Sequence, residues 1–189
     1  MDTIGMMDRV VAEISALVDH VSPDQLSGPT PCVQWTVRDL INHVCGGAQM
    51  VAMSLEKGAV PDDKLAQFMA GDNLGDDFKG LFHQAMTYAA GCYKAPGAME
   101  KMVTLPFGQM PGEAALTFGA FDVTTHAADL ARATGQQPID AALYAEALAI
   151  GRQLVTPELR QPGVFDAEQD CAENASAPEQ LLAFAGRKA

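Results

Sequence analysis

The sequence is short of positive charge: 12 Lys and Arg stand against 24 Asp and Glu, a formal net charge of -12. A surface of that sign repels a phosphate backbone and an anionic bilayer, so nucleic acid and membrane are poor partners for it. Long apolar runs are missing too, since no segment reaches the roughly 18 uninterrupted apolar residues of a membrane span. The start, "MDTIGMMDRVVAEI", has an acid in second place and no basic stretch before an apolar one, unlike a secretion signal. The plain reading is a cytoplasmic protein. Cysteine is sparse, and Cys32, Cys45, Cys92 and Cys171 form no C-x-x-C pair. That speaks against a zinc ribbon or a thioredoxin-type motif and leaves free buried thiols as the expectation. Strand-rich regions and internal repeats are absent.

What is present is helical periodicity. From Asp2 to about His20, the residues Ile4, Met7, Val10, Val11, Ile14, Leu17 and Val18 recur at three and four, the spacing of one buried helix face. "VSPDQLSGPTPCVQW" interrupts it, and "TVRDL" announces a second helix, with Thr36 as cap and Asp39 as its capping-box partner. The stripe Val37, Leu40, Ile41, Val44, Ala48, Val51, Ala52 and Leu55 runs until Gly58 can close it. Residues 58–73 read as a linker. Leu74, Phe78, Leu81, Phe82, Ala85, Met86 and Ala89 give a third helix, ending at Gly91 or Tyr93. "KAPGAMEKMVTLPFGQMPG" is an ordered excursion with a β-capable run at Met102 to Leu105. A fourth long helix spans about Gly112 to Thr134 with Gly135 behind it, Asp140 caps a fifth through Val155, and a short one follows Ser176. The expectation is an all-α fold: a four-helix bundle with additional C-terminal helices and a long loop between helices three and four. One domain is expected over 1–189, its core about 2–135 and its C-terminal extension about 136–189.

Asp122 and His126 lie four apart on the fourth helix, so both side chains leave one face and can meet a common ion. A third ligand has to come from another helix, and His43 in "DLINHVCGGAQ" is the best placed, about 100 degrees from the centre of its apolar stripe. Two imidazoles and a carboxylate leave a position open, the pattern of catalytic zinc, non-haem iron or nickel. From spacing alone, a solvated helix pair remains the commoner explanation. Asp129 reads first as a salt-bridge partner of Arg132 or Arg38 and second as an acceptor behind His126. Trp35 reads as a staple at the entry to the second helix, His20 and His83 as surface or helix-end residues, and Cys45 as pointing away from His43. The methionines suggest an adaptable pocket or core filling, with "LPFGQMPG" at the mouth of the site.

Three stretches carry a resemblance. "TPCVQWTVRDLINHVCGG", "FDVTTHAADLARATGQ" and "APEQLLAFAGR", in order from about Met6 to Arg187, are similar to actinobacterial proteins related to the metal-binding domain of mycothiol-dependent maleylpyruvate isomerase, in the DinB/YfiT-like superfamily. The resemblance implies a divalent metal, zinc first with nickel or iron as alternatives, on His43, Asp122 and His126. It implies mycothiol as thiol cosubstrate, an electrophilic small-molecule substrate, and a thiol-dependent transferase or isomerase reaction. Relatives commonly read H-G-W-D-L-A where this chain has "HAADLA", so Ala127 and Ala128 replace an aromatic segment, and the isomerase has a further C-terminal domain. The alternative function is a non-catalytic metal- or small-molecule-binding module on the same bundle. A homodimer is the expected form of self-association.

Overall fold

The computed structural model describes residues 2–160 and 165–187. Among them the chain forms seven α-helices: α1 (Thr3–Asp19), α2 (Val37–Lys57), α3 (Asp62–Ala70), α4 (Phe78–Tyr93), α5 (Gly112–Thr134), α6 (Ala141–Leu154) and α7 (Ala177–Phe184). Among the described residues the one sheet is a hairpin of β1 (Met102–Leu105) and β2 (Gly108–Pro111), with Met102 opposite Pro111 and Leu105 opposite Gly108. The fold class is all-α. No described helix is long and apolar enough to cross a membrane.

Local chemistry sets most of the boundaries. Thr36 and Asp39 bond reciprocally at the start of α2: Thr36 donates from N and Oγ1 to the carboxylate at 2.9 and 2.6 Å, and Asp39 N donates to Thr36 Oγ1 at 3.2 Å. Gly58 and Gly135 follow α2 and α5 at φ of 91° and 71°, a left-handed conformation that costs glycine no side-chain clash. Ser176 and Glu179 make the same box at α7, at 2.7 and 2.6 Å.

Two expected boundaries differ. The stretch expected as a linker contains α3, whose first turn carries Asp62 and Asp63 behind Pro61, a favourable arrangement for the helix dipole. It runs nine residues and buries only Phe68, too short a pattern for periodicity to reveal. Conversely, Leu74 matches the helical spacing of α4 yet lies outside it. The Asp72 carboxylate accepts from the N–H groups of Leu74 and Gly75 at 3.0 and 3.1 Å, an Asx turn that competes with helix, and the helix begins only after Asp77 caps Gly80 N at 3.0 Å.

Contacts divide the chain into two compact units. The first comprises Met1–Val11 and Ile41–Gly119. In it, Gly46 lets the backbone of α3 come close: a Cβ there would stand 2.0 Å from Phe68 O. Asn42 fastens the following turn, donating to Gly71 O at 3.0 Å and accepting from Asn73 N at 2.7 Å. Lys101 Nζ covers the last carbonyls of α2, on Leu55 O and Glu56 O at 2.8 and 2.6 Å, where a cation also complements the helix dipole.

The second unit comprises Ala12–Leu40 and Ala120–Ala189. Along α5, every residue from Val123 to Ala131 is buried, three of the nine being alanine, so this segment is an interior helix. The Thr124 and Thr125 hydroxyls satisfy themselves on Ala120 O and Phe121 O at 2.7 and 2.9 Å. Phe121 stacks on Phe165 at 5.7 Å and meets Phe184 of α7 edge-on at 6.4 Å. The start of α6 is held by Glu13, a carboxylate only 3% exposed that accepts from Ile139 N, Asp140 N and Tyr144 Oη at 2.8, 3.0 and 2.9 Å.

Candidate metal centre

Asp122 and His126 are one turn apart on α5 within the second unit, with His126 Nε2 3.6 Å from Asp122 Oδ1. The His126 side chain is 6% exposed and that of Asp122 29%, so the imidazole is embedded while the carboxylate faces outward. The separation is longer than a good hydrogen bond. His43 lies on α2 in the first unit and is partly exposed.

The other imidazole nitrogen is held from behind. Nδ1 of His126 stands 3.1 Å from Asp129 Oδ2, and Asp129 is fully buried. Burial opposes ionisation of this carboxyl, but the hydrogen bond and charge of His126 and then the charge of Arg187 outweigh it and hold its pKa below the usual carboxylate value. An ionised carboxylate only accepts, so Nδ1 carries a hydrogen, and in the neutral form of the ring the lone pair lies on Nε2, the nitrogen nearest Asp122. That orientation suits ligation, because metal-bound histidines commonly give their second N–H to a carboxylate.

Asp129 does not pair as expected with Arg132 or Arg38. Arg187, 58 residues further on, sends Nε to Oδ1 at 3.2 Å and Nη2 to Oδ2 at 3.3 Å. Asp129 Oδ2 also accepts from Cys32 Sγ at 3.1 Å, and that sulfur is 4.0 Å from His126 Nδ1. Burial first, then the charge of Asp129, pushes the Cys32 thiol well above its ordinary range. Cys32, His126 and Asp129 thus form a sulfur, nitrogen and oxygen cluster within 4.8 Å. Their hydrogens converge on Oδ2 and Arg187 already balances the carboxylate, so this cluster supports the imidazole and does not present lone pairs to an ion.

The Trp35 ring, expected as a staple, lies against His126 with centroids 5.5 Å apart and planes tilted by 39°. Cys45 is buried in the first unit, donating to Asn73 O at 3.6 Å, with burial pushing it up to about 11. Cys171 is exposed, against the expectation of buried thiols. His20 sits at the end of α1 with Nδ1 2.7 Å from Ala16 O, while His83 packs edge-on to Phe82 at 5.9 Å. Ala127 and Ala128 are buried at 1% and 2% exposure. Sequence reasoning missed Cys32 and Arg187: both stand in stretches quoted for the resemblance, but neither has a ligand-like spacing to mark it.

The depressed carboxyl has a consequence for acid stability. Its ionised form is favoured by folding, so it contributes stability above the unfolded value near 4 and loses that contribution as pH falls through the lower folded value. The difference in unfolding free energy between wild type and Asp129→Asn is therefore expected to shrink steadily as pH falls below about 5, as chemical denaturation at each pH will show. A constant difference would mean that the carboxyl is not ionised in the fold.

A family model described as the mycothiol maleylpyruvate isomerase N-terminal domain matches residues 7–131. Uncharacterized proteins from two strains of Mycobacterium tuberculosis are each 39% identical over 193 residues, covering 99% of this chain and 98% of theirs. Among solved structures, the mycothiol-dependent maleylpyruvate isomerase is similar with a TM-score of 0.63 at 15% identity, over 85% of this chain and 69% of that one. A histidine mutant of that isomerase gives 0.63 at 16%. At such identity the likeness establishes the fold, which this chain shares with the matched part of that isomerase.

Proposed function

Because the chain belongs to the mycothiol maleylpyruvate isomerase N-terminal domain family, we propose that it is a thiol-dependent transferase or isomerase acting at a divalent metal, zinc first. Its ligands are His43, Asp122 and His126. The observation that carries this reading is the His126 imidazole, whose Nδ1 is tied to buried Asp129 and whose Nε2 faces Asp122 at 3.6 Å. Family membership and the placement of His43 on a separate helix support the third ligand.

Zinc bound there supplies positive charge that lowers the pKa of a thiol, so that the thiolate forms near neutral pH. The chain's own residues do the rest. His126 and Asp122 fix one side of the site, Asp129 keeps the imidazole in the ligating tautomer, and Trp35 covers one side of the ring. Cys32, the cysteine beside His126, has its hydrogen committed to Asp129, so the reacting thiol comes from outside the chain. A low-molecular-weight thiol such as mycothiol fits that requirement, and the substrate is a small molecule with an electrophilic carbon.

The test is elemental analysis of protein purified without a histidine tag, with His43→Ala alongside, followed by a thiol-conjugation screen against small electrophiles. About one zinc per chain in wild type, reduced in the variant, together with metal-dependent thiol consumption, supports the reading. Zinc without thiol chemistry would leave the non-catalytic binding module as the better description.

A further inference from the structure

We propose that Arg187 is a positioning residue that sets the metal-ligating face of His126 by acting through Asp129. The inference rests on the reading of Asp122 and His126 as metal ligands.

Arg187 touches neither of those side chains in its described hydrogen bonds. Its Nε lies 3.2 Å from Asp129 Oδ1 and 3.4 Å from Oδ2, and its Nη2 lies 3.3 Å from Oδ2. Its Nη1 donates to Ala185 O at 3.3 Å, so the guanidinium is fastened to the end of α7 on one side and to α5 on the other. A planar fork with fixed donors can hold a carboxylate in one rotation about its Cβ–Cγ bond, which a single point charge cannot.

Asp129 is fully buried, and a water molecule entering in place of the guanidinium would bring neither its charge nor its fixed fork of donors. Oδ2 carries the contacts to His126 Nδ1 and Cys32 Sγ, while the hydrogen bonds at Oδ1 come from Arg187. Without the guanidinium the carboxylate loses both its counter-charge and the contact that fixes its rotation. Its acceptor then no longer stays aligned with Nδ1. A neutral imidazole carries one ring hydrogen, and once Nδ1 is unsupported that hydrogen redistributes to Nε2, the nitrogen that must be bare to ligate. Arg187 therefore governs how much of the protein is ready for metal, from a position 58 residues along the chain.

Arg187 lines a cavity of about 440 Å³ together with Arg132, Asn174 and Glu179. Truncating the side chain leaves a space that a small soluble cation can reach.

The experiment uses metal-free protein first. Nitrogen-15 NMR of the His126 ring is expected to show the Nδ1–H tautomer in wild type and a mixture in Arg187→Ala, with helix content unchanged by circular dichroism. Zinc affinity measured by chelator competition is expected to fall about 10–100-fold in that variant, and guanidinium ion at tens of millimolar is expected to restore part of both signals. Should Arg187→Ala not fold, Arg187→Gln carries the same test, keeping an amide donor without the charge. An unchanged tautomer and a zinc affinity within twofold of wild type in the folded variant overturn the proposal. A wild-type protein that binds no zinc counts against the metal reading instead, while the tautomer measurement still decides whether Arg187 positions His126.

Discussion

The His126→Ala protein is expected to keep its helices and to fail to bind the proposed metal. His126 is 5% exposed, and its ring is fixed by Asp129 behind it and Trp35 beside it, so Nε2 is delivered to the Asp122 face without further ordering. A ligand held in place in advance contributes its full bond strength, since little conformational entropy remains to be lost on binding. Its removal should therefore cost more than the roughly 10–100-fold in affinity that a residue hydrogen-bonded to a ligand is worth. Asp122→Ala is expected to weaken binding too. The Asp122 side chain is 29% exposed, so water can take its place at the ion, and its loss should cost less than that of the imidazole. Metal content after dialysis against a weak chelator, with circular dichroism on the same samples, checks both. Full stoichiometry in folded His126→Ala would remove the metal centre from this helix face.

The second large effect is expected at Glu13. Glu13→Ala is predicted to destabilise the protein by about 3 kcal/mol, since it removes the shared acceptor of one buried and two part-buried donors, an unsatisfied buried donor costing roughly 1–3 kcal/mol and each ordinary bond about 1 kcal/mol. Those donors are Ile139 N, Asp140 N and Tyr144 Oη. In a chain of this length such a loss lowers the melting temperature by about 6–12 °C. Tyr144→Phe removes one of the three bonds and leaves the carboxylate its two backbone donors, so it should cost about 1 kcal/mol. Thermal and denaturant unfolding of the two variants would show this ordering. Equal stabilities for wild type and Glu13→Ala would mean that α6 is held by apolar packing alone.

Glu13 also shows what a helical pattern conceals. In α1 it lies among Val10, Ile14 and Leu17, whose spacing marks the buried face, and an isolated acid next to such a stripe reads as a solvated flank. Its burial at 3% becomes intelligible only with the backbone of residues 139 and 140 folded against it. Asp129 is a parallel case. A residue three positions from an arginine on one helix invites an intrahelical pair, whereas the charge that neutralises it arrives from the far end of the chain. Local rules favour the nearer partner only where both side chains remain in solvent, and Asp129 is 0% exposed.

What short-range physics governs was legible in the order of residues. The 3.6-residue apolar repeat placed the long helices, Thr36 with Asp39 and the glycines after α2 and α5 fixed their ends, and the four-residue spacing put Asp122 and His126 on one face. Tertiary structure alone decided which groups lie behind that face. Cys32 and Arg187 stand 97 and 58 residues from Asp129 along the chain, and Trp35 meets His126 from a different segment. No periodicity links such positions. They are joined because a buried carboxylate has to be satisfied wherever it lies, and only the folded chain shows which donors reach it.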